Sequence, residues 1–222
     1  MKKNLTEMVF ILDRSGSMNH LVSDTIGGFN SMIEQQKKED GEAYVTTVLF
    51  DDYYEILHDH VNIQGVAPIT NKEYYARGCT ALLDAVGKTI NSIGQRLSNT
   101  PEEERPEKVI FVITTDGYEN ASREFTKSKI KEMIEHQQNV YSWVFIFLGA
   151  NMDAVSEAAG YGINSAHAHT YTASAQGTSS VYYATADALS SIRSIDLDSL
   201  TSNCCYMDAV ETKISKSLES IV

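Results

Sequence analysis

The sequence predicts a three-layer α/β fold: a doubly wound, mostly parallel β-sheet with one antiparallel edge strand and helices on both faces. Short apolar runs rich in β-branched and aromatic residues alternate with longer segments whose apolar residues fall three or four positions apart. Two runs, on either side of Asp51 and Asp52, have only that acidic turn between them. The length of 222 residues suits one sizeable domain.

The strands of this sheet are predicted from their apolar runs. Runs that are apolar on both faces are typical of buried parallel strands, and they cover residues 6–11, 43–50, 108–114 and 141–148. Residues 54–61 follow the acidic turn directly, so we expect a hairpin whose second strand is antiparallel. Residues 163–171 predict a weaker strand.

The segments between the strands predict helices at residues 24–38, 80–97, 122–137, 153–159 and 177–195. In the helix at 80–97, one apolar stripe contains Leu82, Leu83, Val86, Ile90, Ile93 and Leu97. Because strands alternate with helices, the sheet should be Rossmann-like, with both faces covered.

The C-terminal segment predicts a further amphipathic helix. Its apolar residues are spaced three or four apart: Met207, Val210, Ile214, Leu218 and Ile221. We expect a domain at residues 1–195 and a helical extension at 196–222 that packs on it. Binding of this helix to a partner is the alternative.

Charge and cysteine content narrow the functional classes. A formal net charge of −12 disfavours nucleic acid and anionic membrane surfaces as partners. No apolar run approaches the roughly 20 residues that span a bilayer. The N-terminus is a poor secretory signal because Glu7 and Asp13 flank its apolar stretch. The 3 cysteines suggest neither a disulfide framework nor a zinc site, so we expect a cytoplasmic protein with reduced thiols.

Polar residues follow the predicted strands where an open α/β sheet binds its ligands, beyond the carboxyl ends of the strands. The first strand ends in Asp13, Ser15 and Ser17, whose alternation lets one loop present three oxygens on the same side. Thr80 opens a predicted helix, and Asp116 follows the strand at 108–114. Ligands that are all oxygen select hard cations, so we expect Mg²⁺, with Mn²⁺ or Ca²⁺ as competitors. Taken alone, the first loop could simply cap a helix.

These residues resemble the metal-ion-dependent adhesion site of von Willebrand factor type A domains, which has the pattern Asp-x-Ser-x-Ser, then a distant Thr, then an Asp at a strand end. The matching residues are Asp13, Ser15, Ser17, Thr80 and Asp116. The resemblance covers roughly residues 6–195, and it is greatest to small stand-alone bacterial cytosolic members. One departure is Gly78 followed by Cys79, where many relatives have two glycines.

The resemblance implies a function. It implies that Ser15, Ser17 and Thr80 approach the metal directly, while Asp13 and Asp116 hold it directly or through water. It also implies that an Asp or Glu carboxylate of a partner protein completes the coordination. The expected function is therefore a non-enzymatic, metal-dependent protein-interaction module.

The residues beside this site in sequence are candidates for the rim that contacts the partner. They are Tyr118, Arg77 and Met18. Exposed aromatic side chains around a polar anchor suit a protein interface. Tyr74 and Tyr75 could equally be packing residues.

Other functions remain open on the sequence. A metal-dependent phosphoryl-transfer hydrolase would use Asp13 as nucleophile, but it usually has a second carboxylate two residues on, where this chain has Ser15. A regulatory subunit of an ATPase or stress-response complex would use the same metal site. The pairs His58 and His60, and His167 and His169, suggest zinc only weakly, because two ligands do not close a tetrahedral site.

Overall fold

The computed structural model describes residues 1–197 and 203–218. Its strands are β1 (Lys2–Asp13), β2 (Glu42–Phe50), β3 (Tyr54–Asn62), β4 (Pro106–Thr115), β5 (Val144–Ala150) and β6 (Ala168–Tyr171). They form one sheet in the order β3-β2-β1-β4-β5-β6. Strands β2 and β3 pair antiparallel, and every other neighbouring pair is parallel. The predicted fold class is confirmed.

The central strands bury both of their faces, because consecutive side chains of a strand point to opposite sides. In β1, Phe10 and Leu12 join one apolar cluster, while Val9 and Ile11 join the other. The same alternation continues in β4. A continuous apolar run therefore marks a strand with helices on both sides.

Helices cover both faces of the sheet. One face carries α1 (Val22–Gln36), α5 (Ala175–Arg193) and α6 (Asn203–Leu218), and the other carries α2 (Leu82–Asn99), α3 (Lys127–Tyr141) and α4 (Ala154–Gly160). The apolar stripe of α2 packs on the second face. Within the described residues, we find no helix with the length and apolar character needed to cross a membrane.

Helix α3 begins five residues later than its pattern predicts. The carboxylate of Asp84, in α2, accepts hydrogen bonds from the backbone N–H groups of Arg123, Glu124 and Phe125. These bonds hold the segment as a loop, and the side chain of Thr126 then caps α3. The three N–H groups also lower the pKa of the Asp84 carboxyl, although burial opposes them.

The C-terminal helix α6 lies against α5. Tyr206, Val210, Ile214 and Leu218 are buried in the same apolar cluster as α1 and α5, and Met207 is partly buried against that cluster. Ile221 lies outside the described residues. The division of the chain at residue 195 stays a prediction.

His167, next to β6, predicts an acid-sensitive contribution to stability. Burial lowers the pKa of its imidazole from 6.5 to about 4. As pH falls from 6.5 to about 4, the unfolded chain binds this proton and the folded protein does not. The folded state should therefore lose about 3 kcal/mol over this range. Urea unfolding at several pH values should show a flatter profile for His167→Gln, and identical profiles would contradict the assignment.

Candidate metal centre

The candidate site lies at the carboxyl edge of the sheet, where three backbone segments meet. The loop after β1 and the segment before α2 run side by side: Gly16 N donates to Gly78 O at 3.0 Å, and Arg77 N donates to Arg14 O at 2.8 Å. The loop after β4 completes the site. The structure thus brings together segments that are about 60 and 100 residues apart in the chain.

The oxygen atoms of the predicted ligands form one connected group. The Asp13 carboxylate accepts hydrogen bonds from Ser15 N and from the Thr115 hydroxyl, each at 2.6 Å. The Ser15 and Ser17 hydroxyls are 3.1 Å apart, and the Ser17 hydroxyl donates to Asp116 at 2.5 Å. The loop therefore presents both serine hydroxyls between the two carboxylates.

Thr80 belongs to the same group. A β-carbon added at Gly117 would lie 3.5 Å from the Thr80 hydroxyl and 3.8 Å from the Ser17 hydroxyl. Gly117 therefore sits against both hydroxyls. All of the sequence-predicted ligand residues are in this group: Asp13, Ser15, Ser17, Thr80 and Asp116.

The loop after Asp116 holds Thr80 in place, a role that the sequence of this loop does not predict. The Asn120 side-chain oxygen accepts from Thr80 N at 3.0 Å, and the N–H groups of Asn120 and Ala121 donate to Thr80 O. Glu119 accepts from Leu83 N, in the first turn of α2, at 2.9 Å. A polar run after a strand end was the available signal, but it does not reveal which backbone groups it will meet.

A buried ion pair supports the loop after β1. Arg14, between Asp13 and Ser15, is fully buried, and its Nε donates to the fully buried Asp51 at 2.9 Å. Its guanidinium also donates to Glu55 at 2.7 Å. The acidic turn after β2 thus does more than reverse the chain, because it anchors the loop after β1.

Tyr74 supports the same loop through a hydrogen bond to its backbone. It is fully buried, and its hydroxyl donates to the carbonyl oxygen of Asp13. Burial raises the pKa of this phenol well above its usual value, so it stays a neutral donor. Tyr74 is a core residue, whereas its neighbour Tyr75 is exposed.

The predicted rim is only partly at the surface. Tyr118 is 57% exposed and the Arg77 side chain 39% exposed. Met18 is 1% exposed, so the prediction that it contacts a partner is wrong. Its side chain joins the apolar cluster beside Leu21 and Phe29, because the turn before α1 directs it inward.

The two carboxylates of the site have no counter-ion among the described residues. Burial raises the pKa of the Asp13 carboxyl to about 6, and the charge of Asp116 adds to this effect. Within the described residues, no basic side chain forms an ion pair with either carboxylate, since Arg14 and Arg77 both turn to Asp51. Two carboxylates and three hydroxyls in one group are the donor set of a hard divalent cation, so the residues fit such an ion.

Gly78 and Cys79 differ in backbone conformation, since only Gly78 lies in the left-handed region. Gly78 has φ +66°, and a β-carbon there would lie 2.5 Å from a carboxylate oxygen of Asp52. Cys79 has no positive φ. Its exposed thiol forms no disulfide, and its N–H donates to Asp52. The replacement of a second glycine by Cys79 therefore does not distort the loop.

This contrast predicts that Gly78→Ala will destabilise the protein. The left-handed conformation costs a residue with a β-carbon about 1 to 2 kcal/mol, and the approach to Asp52 adds to that cost. Gly27→Ala, inside α1, is the control, because a β-carbon there meets nothing within 4 Å. It should stabilise by about 0.5 to 1 kcal/mol. Urea unfolding measures the free energy of unfolding of both variants. A loss below about 0.5 kcal/mol in Gly78→Ala would be no larger than that of an ordinary surface substitution, and it would contradict this geometry.

The paired histidines make separate contacts in the fold. His58 Nδ1 lies 3.0 Å from the Thr47 hydroxyl, and His60 Nδ1 lies 2.7 Å from the buried Glu7. Across the described ranges, no three His, Cys, Asp or Glu side chains are grouped so as to hold a metal. The candidate centre depends instead on hydroxyl oxygens.

Comparisons with solved structures show the fold. Proximal thread matrix protein 1 from the mussel byssus matches 95% of this chain, with a TM-score of 0.55 and 16% identity. The same mussel protein with a zinc-occupied metal-ion-dependent adhesion site matches 94%, with a TM-score of 0.53 and 17% identity. A von Willebrand factor type A protein from Catenulispora acidiphila matches 96%, with a TM-score of 0.51 and 11% identity.

These matches cover only part of the solved proteins. The chain spans 46%, 46% and 42% of those three proteins, less than half of each. No family profile and no curated protein sequence matches the chain. At such low identity, the likeness extends to the fold alone.

Proposed function

We propose that this chain, which has the fold of von Willebrand factor type A domains, is a non-enzymatic protein-interaction module that depends on a divalent cation. The cation, for which we propose Mg²⁺, would be held by Asp13, Ser15, Ser17, Thr80 and Asp116. An Asp or Glu side chain of a partner protein would complete its coordination.

The observation that carries this proposal is a pair of carboxylates without an ion pair among the described residues, Asp13 and Asp116. They are linked through the backbone N–H of Ser15 and the hydroxyls of Ser15 and Ser17. A buried carboxylate without a counter-ion is costly, and no basic side chain of the described part forms an ion pair with either member of this pair. A bound cation would remove that cost. Three neutral hydroxyls add ligands without adding charge.

The same donor set explains why a partner's carboxylate would bind. Two carboxylates are few anionic ligands, and water between them and the ion would reduce their effect further. Such a cation keeps a strong affinity for one more anionic oxygen. Because the chain has a formal net charge of −12, the ion must supply the local attraction for an acidic partner.

Two further observations support the proposal. The mussel protein of the same fold has been obtained with zinc in its adhesion site, which is the kind of occupancy proposed here. Tyr118 and Arg77 are exposed beside the candidate centre, and tyrosine and arginine are enriched at protein interfaces. We place both in the rim that contacts the partner.

We also propose that the domain ends at residue 195 and that the C-terminal extension follows it.

Phosphoryl transfer is less well supported. The side chain next to Asp13 that could bind a phosphate is Arg14, but its guanidinium is buried against Asp51 and Glu55. Ser15 stands where a second carboxylate is usual. A regulatory subunit of an ATPase or stress-response complex would use the interaction proposed here, with a different partner.

The test is retrieval of a partner with and without the cation. The full chain is used as bait with Mg²⁺ or with a chelator, beside Thr80→Ala and the control Thr212→Ala on the exposed side of α6. We expect one set of proteins to bind only with Mg²⁺, to be lost with Thr80→Ala and to be kept with Thr212→Ala. Partners that bind equally well in chelator would refute the proposal.

A further inference from the structure

Three side chains form a stacked cluster beside the candidate centre, which we call the tyrosine–arginine cluster: Tyr53, Tyr75 and Arg77. The guanidinium carbon of Arg77 lies 5.4 Å from the ring centre of Tyr53 and 5.3 Å from that of Tyr75. Arg77 Nη1 also donates to the Tyr75 hydroxyl at 3.2 Å. Tyr53 is 69% exposed, so the cluster lies at the surface. These contacts hold an exposed arginine in one place.

The tyrosine–arginine cluster lies close to the candidate metal ligands. Arg77 N bonds to the carbonyl oxygen of Arg14, the residue between Asp13 and Ser15. Thr80 is only three residues further along the chain, a separation of at most about 10 Å. A partner segment bound at the cation would therefore pass within reach of Arg77.

Only part of the Arg77 guanidinium is engaged by contacts within the chain. Its Nε donates to Asp51 Oδ2 at 2.6 Å, and Arg14 Nε uses the same oxygen at 2.9 Å. Arg14 has Glu55 as a second carboxylate. Arg77 forms no second ion pair among the residues that the structure describes, although the charge of Glu55 also acts on its guanidinium. The outer edge of its guanidinium thus keeps N–H donors for an anionic group.

We propose that the tyrosine–arginine cluster binds a second carboxylate of the partner, in the same segment as the carboxylate that reaches the cation. This inference rests on the proposed function and names the partner's chemistry: an extended acidic segment. An extended chain rises about 3.3 Å per residue, so the two acidic residues are about two to four positions apart. Because Arg77 is already held in place, binding loses little side-chain entropy.

Synthetic peptides test this inference without a known partner. The probes are capped glycine peptides with two glutamates separated by one to three glycines, and matched peptides in which one glutamate is glutamine or lysine. Dissociation constants are measured by NMR titration of the full chain, with Mg²⁺ and with chelator. With Mg²⁺, the best two-glutamate peptide should bind about tenfold more tightly than its glutamine counterpart, as expected for one added charge-assisted contact.

Variants then locate the second contact. The tenfold ratio should fall to about one in Arg77→Met, which keeps a long apolar stem, and should persist in Arg123→Met, another exposed arginine. Tyr53→Ala should lower the ratio, whereas Tyr183→Ala, an equally exposed tyrosine on α5, should not. Tyr53 is exposed enough that its removal should leave the fold intact.

The outcomes separate this inference from the proposed function. If the single-glutamate peptide binds only with Mg²⁺ but the second glutamate adds nothing, or if Arg77→Met keeps the ratio, the inference fails and the function stands. A lysine peptide that binds more tightly than the two-glutamate peptide also overturns the inference. If no peptide binds more tightly with Mg²⁺ than with chelator, both fail.

Discussion

Asp13→Asn should abolish stabilisation of the protein by divalent cations. A ligand that binds only the folded state stabilises it by about 2.7 kcal/mol at a concentration 100 times its dissociation constant. For a domain of this size, that corresponds to a rise in Tm of about 5 to 10 °C. We expect this rise with Mg²⁺ or Mn²⁺ in the wild type, and none in Asp13→Asn.

The metal-free variant should be at least as stable as the metal-free wild type. Asp13 is fully buried, and its carboxylate has no basic partner among the described residues, so replacing it by the neutral amide removes a buried charge. Asp59→Asn, at an exposed carboxylate of β3, is the control and should keep the full cation effect. An equal rise in Tm for Asp13→Asn and the wild type would show that the cation binds elsewhere.

Asp51→Asn should cause a large loss of stability. It would leave the buried guanidinium of Arg14 with only Glu55, whose side chain is 48% exposed. Removing one partner of a buried ion pair typically costs about 3 to 5 kcal/mol. Because Arg14 lies between two candidate ligands, cation binding should weaken as well.

Glu55→Gln is the matched comparison for this second prediction. It removes the exposed partner of the same arginine, and an exposed pair contributes about 1 kcal/mol or less. Urea unfolding measures the free energy of unfolding of both variants, and the dependence of that free energy on urea concentration should stay unchanged. Similar losses for Asp51→Asn and Glu55→Gln would mean that burial of Asp51 is not what stabilises the pair.

Much of the fold could be predicted because its signals are local. The apolar runs of β1 and β4 mark strands buried on both faces, and the spacing in α2 marks a helix with one buried stripe. The candidate ligands were also found in sequence, since Asp13 and Asp116 follow directly where apolar runs stop. A polar residue at the end of a strand can be recognised from the sequence of that strand alone.

What could not be predicted depends on contacts between distant segments. Nothing in the sequence near Arg14 indicates that Asp51 will neutralise it, and nothing near Thr80 indicates that Asn120 will hold its backbone. The start of α3 was misplaced because the three N–H groups before it bond to Asp84 in another helix.

Burial of single residues was equally hidden. Met18 and Tyr118 both stand close in sequence to candidate ligands, yet one is buried and the other is exposed. The short helical turn at Gly16–Leu21 directs Met18 inward, where it joins the apolar cluster that includes residues of α1. Proximity in sequence to a site therefore did not determine exposure.

The most direct test of the proposed centre is crystallography of the full chain with Mn²⁺, using anomalous scattering to locate the ion. We expect one strong peak per chain, within about 2 to 4 Å of the hydroxyls of Ser15, Ser17 and Thr80, with one coordination position held by water or by an acidic side chain of another molecule. The account would be contradicted by crystals that show Mn²⁺ only at other carboxylates, or no ion at all, while this edge of the sheet is open to solvent.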